Sequence, residues 1–167
     1  MTSPKCSNHH IAFFSGSFDP FTRGHESIVR RTLAFVNEVV VAIGINPDKK
    51  PMLSVEARTK WIERVFANEP RVRVISYSGL TVDAAKSVGA SCIVRGVRNA
   101  ADLEYEQRMA DYNRCASGID TVLLFTLPDE KHISSTQVRN LIACNADLSE
   151  YLPSGAGELL PLLNGEK

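Results

Sequence analysis

The chain has 167 residues and a mass of 18.4 kDa, is 44% hydrophobic and 23% charged, and carries 19 basic and 19 acidic residues. This composition is typical of a globular protein of one domain, and it excludes disordered and collagen-like chains. A formal net charge of zero argues against a dedicated duplex-DNA binder, which needs a basic surface. We therefore expect a single domain over residues 11–167, preceded by a polar, flexible extension over residues 1–10, with no nucleic-acid partner.

The first half of the chain alternates strand and helix patterns. A short apolar run predicts a strand over residues 11–15, and the spacing of apolar residues predicts a helix from Gly24 to about Asn37. A nearly continuous β-branched run predicts a strand over residues 39–45 that is buried on both faces. Ser54 is the expected N-cap of the next helix, which ends before Pro70.

The second half of the chain continues the same alternation. Its expected elements are a strand over residues 72–75, a helix over 81–88 closed by Gly89, a strand over 92–94, a helix over 101–117, a strand over 121–127 and a helix over 134–144. Five strands that alternate with helices predict an α/β fold, a Rossmann-like doubly wound five-stranded parallel sheet with helices on both faces. Such sheets bind ligands beyond the carboxyl ends of their strands, where the strand order reverses.

The cysteines and the hydropathy pattern bear on compartment and on metal binding. The cysteines at positions 6, 92, 115 and 144 lie far apart, with no C-x-x-C pair and no Cys/His cluster at metal-ligand spacing. The N-terminus lacks an apolar signal segment, and no apolar stretch approaches the roughly 18 residues of a membrane span. We expect a cytoplasmic protein with no membrane contact and no metal site formed by its own side chains.

Residues 16–25, Gly-Ser-Phe-Asp-Pro-Phe-Thr-Arg-Gly-His, join the first strand to the first helix. The segment matches neither the dinucleotide nor the P-loop fingerprint. A helix N-terminus nevertheless offers free N–H groups and partial positive charge to an anion, and the same field favours a neutral His25 that donates to a phosphate. The alternative is a structural turn with a capping histidine, which would explain an isolated Gly-His pair.

Two further segments at strand ends carry groups suited to phosphates. Arg95-Gly96-Val97-Arg98 places two guanidinium groups after the fourth strand, although two solvated surface arginines explain that spacing equally well. Acidic residues at 102–106 follow, and they would be accounted for by the helix dipole alone. Ser134-Ser135-Thr136 begins a helix with three hydroxyl groups, with Arg139 one turn later, which is more than a single N-cap requires.

Taken together, these motifs resemble those of the nucleotidylyltransferase superfamily. The resemblance is carried by Gly16-Ser17-Phe18-Asp19-Pro20 with Thr22-x-Gly24-His25, and by Ile133-Ser134-Ser135-Thr136-x-Val138-Arg139. Lys49-Lys50-Pro51-Met52, the Arg95–Arg98 segment and Asp102-Leu103-Glu104-Tyr105-Glu106 narrow it to the phosphopantetheine adenylyltransferase family of coenzyme A biosynthesis. The match covers about residues 11–153.

The resemblance implies transfer of an adenylyl group from ATP to 4′-phosphopantetheine, with Mg²⁺ as cofactor. The catalytic group implied is His25, Lys49 and Arg98, and the acceptor-binding residues implied are Ser17, Lys49, Thr81 and Arg95. The implied ATP-binding residues are Ser17, Phe18, His25, Gly96, Val97, Arg98, Glu106, Glu130, Lys131, His132, Ile133, Ser134, Ser135 and Thr136. The family is commonly hexameric, which implies a homohexamer. Coenzyme A shares the pantetheine arm and is therefore a hypothetical feedback ligand.

The chain departs from the family pattern at three places. Ser17 stands where threonine is usual, which retains the hydroxyl group. Residues 129–132 are more charged than the family's aromatic-containing version, and the extension before His10 has no family counterpart. Two alternatives are a nucleotidylyltransferase with a glycerol-phosphate or nicotinate-mononucleotide acceptor, and a non-catalytic nucleotide-binding module.

Overall fold

The computed structural model describes residues 9–153. Most of the predicted N-terminal extension, residues 1–8, and the apolar segment after Pro153 lie outside the described residues. No helix within residues 9–153 is long and apolar enough to cross a bilayer.

Strands and helices alternate along the described chain, as the sequence predicts. In chain order they are β1 (Ile11–Gly16), α1 (Arg23–Thr32), β2 (Glu38–Gly44), α2 (Val55–Val65), β3 (Val72–Tyr77), α3 (Thr81–Ser87), β4 (Cys92–Val97), α4 (Ala100–Ser117), β5 (Asp120–Phe125) and α5 (Ser135–Ala143), with a 3₁₀ turn at Pro128–Glu130 before α5. The strands form one parallel sheet in the order β3-β2-β1-β4-β5. The predicted Rossmann-like α/β fold is confirmed.

The sheet has a hydrophobic core on each face. Successive side chains of a strand point to opposite faces, so Phe14 and Val41 pack with Trp61 of α2, whereas Phe13 and Val40 pack on the other face. All of these side chains are buried. Because β1 and β2 are covered on both sides, their sequences are nearly continuous apolar runs.

The pairing of β1 with β4 ends before either strand does. The paired register runs from Ala12–Cys92 to Phe14–Val94, whereas β1 continues to pair with β2 as far as Gly16–Ile43. The strand order reverses at this point, since β2 follows β1 on one side and β4 lies on the other. The carboxyl ends of β1 and β4 therefore separate and leave a crevice at the position where doubly wound sheets bind ligands.

Several element boundaries differ from the sequence prediction, among them the ends of β3 at Tyr77 and of β5 at Phe125. Larger differences occur at the ends of α1 and β4. Helix α1 ends at Thr32 rather than near Asn37, because the N–H groups of Ala34 and Phe35 bond in tighter three-residue turns to Arg31 and Thr32. Strand β4 continues to Val97 rather than ending at residue 94. The extra residues are paired with β5, and Arg95 and Gly96 thus belong to the strand itself.

Candidate active site

A cavity of about 420 Å³ lies in the crevice at the carboxyl ends of β1 and β4. Its wall comes from five parts of the chain: the end of β1 with the following loop and the start of α1, the end of β4 with α4, Thr126 after β5, the start of α5, and Lys49. The polar side chains lining it are Ser15, Ser17, Thr22, His25, Lys49, Arg95, Arg98, Asp102, Glu106, Thr126, Ser134, Ser135, Thr136 and Arg139. Four basic and two acidic side chains make the cavity suited to a polyanion.

The end of β1 and the loop after it are bonded to three other elements through their carbonyl oxygens. The donors are Arg95 of β4 to the oxygen of Ser15, Arg58 of α2 to Ser17 at 2.7 Å, Arg139 of α5 to Asp19 at 2.6 Å and Ser135 of α5 to Pro20 at 2.8 Å. Arg58 is buried. The loop is thus held by side chains from α2 and α5, and the end of β1 is held by Arg95 of β4.

Phe18 gives the loop a tight reversal. Its φ angle is +48°, in the left-handed region that side-chain-bearing residues rarely adopt, and its ring is buried. The ring covers Gly16 so closely that a Cβ at residue 16 would lie 2.8 Å from it. Phe18 also packs edge-on against His25, with ring centroids 5.1 Å apart. The glycine and the aromatic ring together define one side of the cavity.

His25 lies in the first turn of α1 and is held in one tautomer. The backbone N–H of Thr22 donates to Nδ1 of His25 at 3.0 Å, so Nδ1 is an acceptor and the ring proton is on Nε2. Burial, followed by the positive charges of Arg95 and Arg98, lowers the pKa of His25 from 6.5 to about 3. His25 is therefore a neutral N–H donor at physiological pH, as the sequence analysis expects.

The two arginines of the Arg95–Arg98 segment are each held by a carboxylate of α4. Arg95 donates to both oxygens of the buried Glu106, at 2.9 and 2.7 Å. Asp102 accepts hydrogen bonds from the guanidinium group of Arg98 at 2.8 and 3.2 Å and from the backbone N–H of Arg98 at 3.1 Å. These hydrogen bonds lower the pKa of Asp102. Both guanidinium groups are thus fixed in orientation beside the cavity.

The hydroxyl groups at the start of α5 have different partners. Ser134 is the N-cap and accepts from the N–H of Gln137 at 3.1 Å, and Thr136 accepts from Arg139 at 2.9 Å. The O–H groups of both residues therefore remain available to donate. The O–H of Ser135 is already used by the oxygen of Pro20. For Ser135, the backbone N–H at the helix start is the available donor.

The structure brings most of the predicted site residues together. The cavity lining contains Ser17, Phe18, His25, Lys49, Arg95, Gly96, Arg98, Glu106, Ile133, Ser134, Ser135 and Thr136. Glu106 is paired with Arg95 in the cavity wall, whereas the resemblance implies that Glu106 binds ATP.

Five predicted residues lie outside this lining. Val97 is buried in β4, and Thr81 begins α3, with its hydroxyl 2.9 Å from that of Tyr77. Glu130 is buried 3.8 Å from Arg23, and the ring of His132 packs against Tyr151. Lys131 lines an adjoining hollow of about 550 Å³, which shares Arg98 with the main cavity.

Sequence reasoning did not find Arg58, which bonds to the loop after β1 at Ser17. A signal for it exists: Arg58, Trp61 and Ile62 are spaced by three and four residues, and all three are buried. An arginine on the apolar face of a helix needs a buried acceptor, and the carbonyl of Ser17 is one.

Comparisons with known proteins show which family the chain belongs to. Residues 13–141 match the model of the cytidylyltransferase-like family. A phosphopantetheine adenylyltransferase of Porphyromonas gingivalis is 52% identical over 87% of this chain and 95% of its own, and one of Bacteroides fragilis is 49% identical over 86% and 96%.

Solved structures add information on the fold alone, because their identity to this chain is low. A bifunctional NMN adenylyltransferase/ADP ribose pyrophosphatase of Francisella tularensis, in complex with AMP and a manganese ion, superposes with a TM-score of 0.69 at 16% identity, over 95% of this chain and 52% of that one. The shared Rossmann-like fold is consistent with the sheet order described above.

Proposed function

Because the chain belongs to the phosphopantetheine adenylyltransferase family, we propose that it transfers the adenylyl group of ATP to 4′-phosphopantetheine, giving dephospho-coenzyme A and pyrophosphate. It is a nucleotidyltransferase of coenzyme A biosynthesis. One observation in the structure supports the proposal most directly. The loop after β1, the two arginines of β4 and its following turn, and the hydroxyl-rich start of α5 line one cavity, although they are distant in the sequence.

The ATP side of the site comprises the N-termini of α1 and α5. Each directs the positive end of its dipole at the cavity, and α5 also presents the backbone N–H of Ser135, which suits a triphosphate. Ser134 and Thr136 add hydroxyl donors, and Arg98 adds a guanidinium oriented by Asp102. The remaining ATP contacts that the resemblance implies, including residues 130–132, belong to this part of the proposal.

The acceptor side comprises Ser17, Lys49 and Arg95. A hydroxyl group, an ammonium group and a guanidinium group line the cavity and match an incoming phosphate. Thr81 lies beyond the cavity at the start of α3, and we assign it to the far end of the long acceptor. The guanidinium of Arg95 is shared with Glu106, which orients it.

In the proposed reaction, a phosphate oxygen of the acceptor attacks the α-phosphorus of ATP, and the bond from that phosphorus to the β-bridging oxygen breaks. The acceptor phosphate is already a nucleophile, so no covalent enzyme intermediate is needed. Catalysis then consists of alignment and of stabilising charge on the α-phosphate and the departing pyrophosphate. Nε2–H of His25, Lys49 and Arg98 are the donors for that charge.

Magnesium enters this proposal as part of the nucleotide substrate. Within residues 9–153, no group of three or more His, Cys, Asp or Glu could hold a metal ion. The two carboxylates of the cavity, Asp102 and Glu106, are already paired with arginines. The phosphates of ATP and water are therefore the ligands we propose, in keeping with the ligand preference of Mg²⁺.

We also propose a homohexamer in the cytoplasm, with coenzyme A as a feedback ligand. Helix α4 supports assembly, because its buried residues are polar while Leu103, Tyr105, Met109 and Tyr112 are exposed. The free thiols of the described residues fit a reducing compartment. Light scattering coupled to gel filtration tests the hexamer, and competition of coenzyme A against ATP tests the feedback.

The decisive experiment incubates the protein with ATP, Mg²⁺ and 4′-phosphopantetheine and detects dephospho-coenzyme A by mass and pyrophosphate by a coupled assay. Glycerol phosphate and nicotinate mononucleotide are the control acceptors. A strong preference for either control would overturn the acceptor assignment. Nucleotide binding without pyrophosphate release from any acceptor would overturn the enzymatic proposal.

A further inference from the structure

Asp19 is buried in the loop after β1, but its carboxylate bonds to a different part of the chain. Oδ2 accepts from the backbone N–H of Met52 at 2.7 Å, and Oδ1 accepts from that of Leu53 at 2.8 Å. Asp19 does not line the main cavity but a neighbouring hollow of about 620 Å³. Both carboxylate oxygens are thus used by main-chain donors and not directed at the cavity.

The segment that Asp19 holds is the one that carries Lys49. Lys49 lies three residues before Met52 and lines both the main cavity and the neighbouring hollow, as Ser17 does. Immediately after this segment, α2 begins, and Arg58 donates from it to the oxygen of Ser17. The lysine segment and the Ser17 loop are therefore joined by two separate contacts, both on the C-terminal side of Lys49.

A carboxylate is the side chain that this contact requires. Two adjacent N–H groups converge on it, and each carboxylate oxygen accepts one of them with the extra strength of a charged acceptor. An asparagine at residue 19 would have nearly the same shape but one acceptor only. Its NH₂ group would face the second N–H, so one hydrogen bond would be replaced by a donor–donor contact.

We infer that Asp19 is a positioning residue that sets the distance between Lys49 and Ser17, and thereby the site for the acceptor phosphate. This inference rests on the proposed function and deepens it. The contact acts on the acceptor side because it joins the two acceptor-side segments. The ATP side is formed by the N-termini of α1 and α5, neither of which contains Met52 or Leu53.

The kinetic test varies ATP and 4′-phosphopantetheine independently in Asp19→Asn. We expect kcat/KM for the acceptor to fall roughly 10–100-fold, as for a misplaced binding group, while the KM for ATP changes less than about threefold. Asp48→Asn, which removes an exposed carboxylate from the same segment, is the matched control and should have little effect. A rise in the KM for ATP as large as the rise in the KM for the acceptor, or an unchanged acceptor kcat/KM, would overturn the inference.

A double-mutant cycle tests whether Asp19 acts through Lys49. In a Lys49→Ala background, Asp19→Asn should cause little further loss of acceptor kcat/KM, because the group it positions is gone. A full multiplicative loss in that background would show that Asp19 acts by another route. If Asp19→Asn does not fold, Asp19→Glu, which keeps the charge but displaces the oxygens, serves for the same comparison.

Amide hydrogen exchange measured by NMR separates this inference from the proposed function. In Asp19→Asn, the amides of Met52 and Leu53 should exchange at least about tenfold faster, while those of β1 and β2 are unchanged. Unchanged protection of both amides would refute the Asp19 contact. If the wild-type protein forms no dephospho-coenzyme A while Asp19→Asn still shows this loss of protection, the proposed acceptor is refuted and the Asp19 contact is supported.

Discussion

Nδ1 of His25 accepts the backbone N–H of Thr22 at 3.0 Å, within the first turn of α1. This hydrogen bond both caps the helix and sets the tautomer of His25, because it leaves the imidazole proton on Nε2. Because the donor is a main-chain N–H, every substitution of Thr22 other than proline retains it. The backbone at the N-terminus of α1 therefore determines that His25 directs an Nε2–H donor to the cavity.

We expect His25→Ala to lower turnover roughly 10²–10³-fold, the usual effect of losing one preorganised donor to transition-state charge. The measurement is kcat for pyrophosphate release at saturating ATP and acceptor. His9→Ala is the matched control, since His9 is exposed, contacts Glu38 at 3.5 Å and lies outside the cavity lining. Near-normal turnover in His25→Ala would remove His25 from the mechanism.

The lowered pKa of His25 predicts a specific dependence of stability on pH. The folded protein binds a proton on His25 less readily than the unfolded chain does. Above about pH 6.5 the ring is neutral in both states, so the titration of His25 does not reduce the free energy of unfolding there. Stability is lost as the pH falls from 6.5 toward 3, by up to about 1.4 kcal/mol per pH unit.

Urea unfolding at several pH values checks this dependence. His25→Gln removes the titrating group and retains a side chain suited to this capping position. We expect its free energy of unfolding to fall less steeply than that of the wild type between pH 6.5 and 4. Parallel pH profiles for the two proteins would show that His25 does not titrate as described.

Asp102→Asn should weaken ATP binding by releasing Arg98 from its fixed orientation. We expect the KM for ATP to rise roughly tenfold, since one charge-assisted contact of about 1.5 kcal/mol loses its geometry. Glu104→Gln is the matched control, because Glu104 and its partner Arg108 are about three-quarters exposed. Equal KM values for the two variants would contradict a role for Asp102.

Gly24→Ala should separate stability from activity. A Cβ at residue 24 would meet its nearest neighbours at 3.8–3.9 Å, which is ordinary contact, and alanine in a helix is up to about 1 kcal/mol more favourable than glycine. The melting temperature should therefore be unchanged or higher. Gly24 also lines the cavity, so the methyl group should obstruct a phosphate at the start of α1 and raise the KM for ATP.

Gly16→Ala is the contrasting substitution. A Cβ there would lie 2.8 Å from the buried ring of Phe18, so the ring or the loop must shift, and we expect a loss of about 1–3 kcal/mol in the free energy of unfolding. Thermal denaturation of both glycine variants measures the difference. A stable Gly16→Ala protein would show that the loop after β1 can relax away from the ring.

The sequence predicted the element order, the N-cap of α2 and most of the segments that line the cavity, because these depend on local patterns. It did not predict how far β4 extends. Arg95 and Gly96 have weak strand propensity, and the strand continues there only because β5 pairs with it at Leu123 and Leu124. Tertiary pairing decides this boundary.

Contacts between distant segments were also beyond the sequence analysis. The pair of Arg95 and Glu106 is 11 residues apart, and the contact of Asp19 with Met52 spans 33. No periodicity relates such positions, because their approach depends on how α4 and the lysine segment pack against the sheet. The left-handed conformation of Phe18 was not predicted either, since it occurs at a residue that rarely adopts it.

The loop after β1 receives hydrogen bonds from α5 through Arg139 and Ser135. During synthesis this helix leaves the ribosome after all five strands. A nascent chain could thus assemble its sheet while its nucleotide site is still incomplete. Competence for catalysis would then appear as one of the last events of maturation, and chains released prematurely before residue 135 would be inert toward ATP.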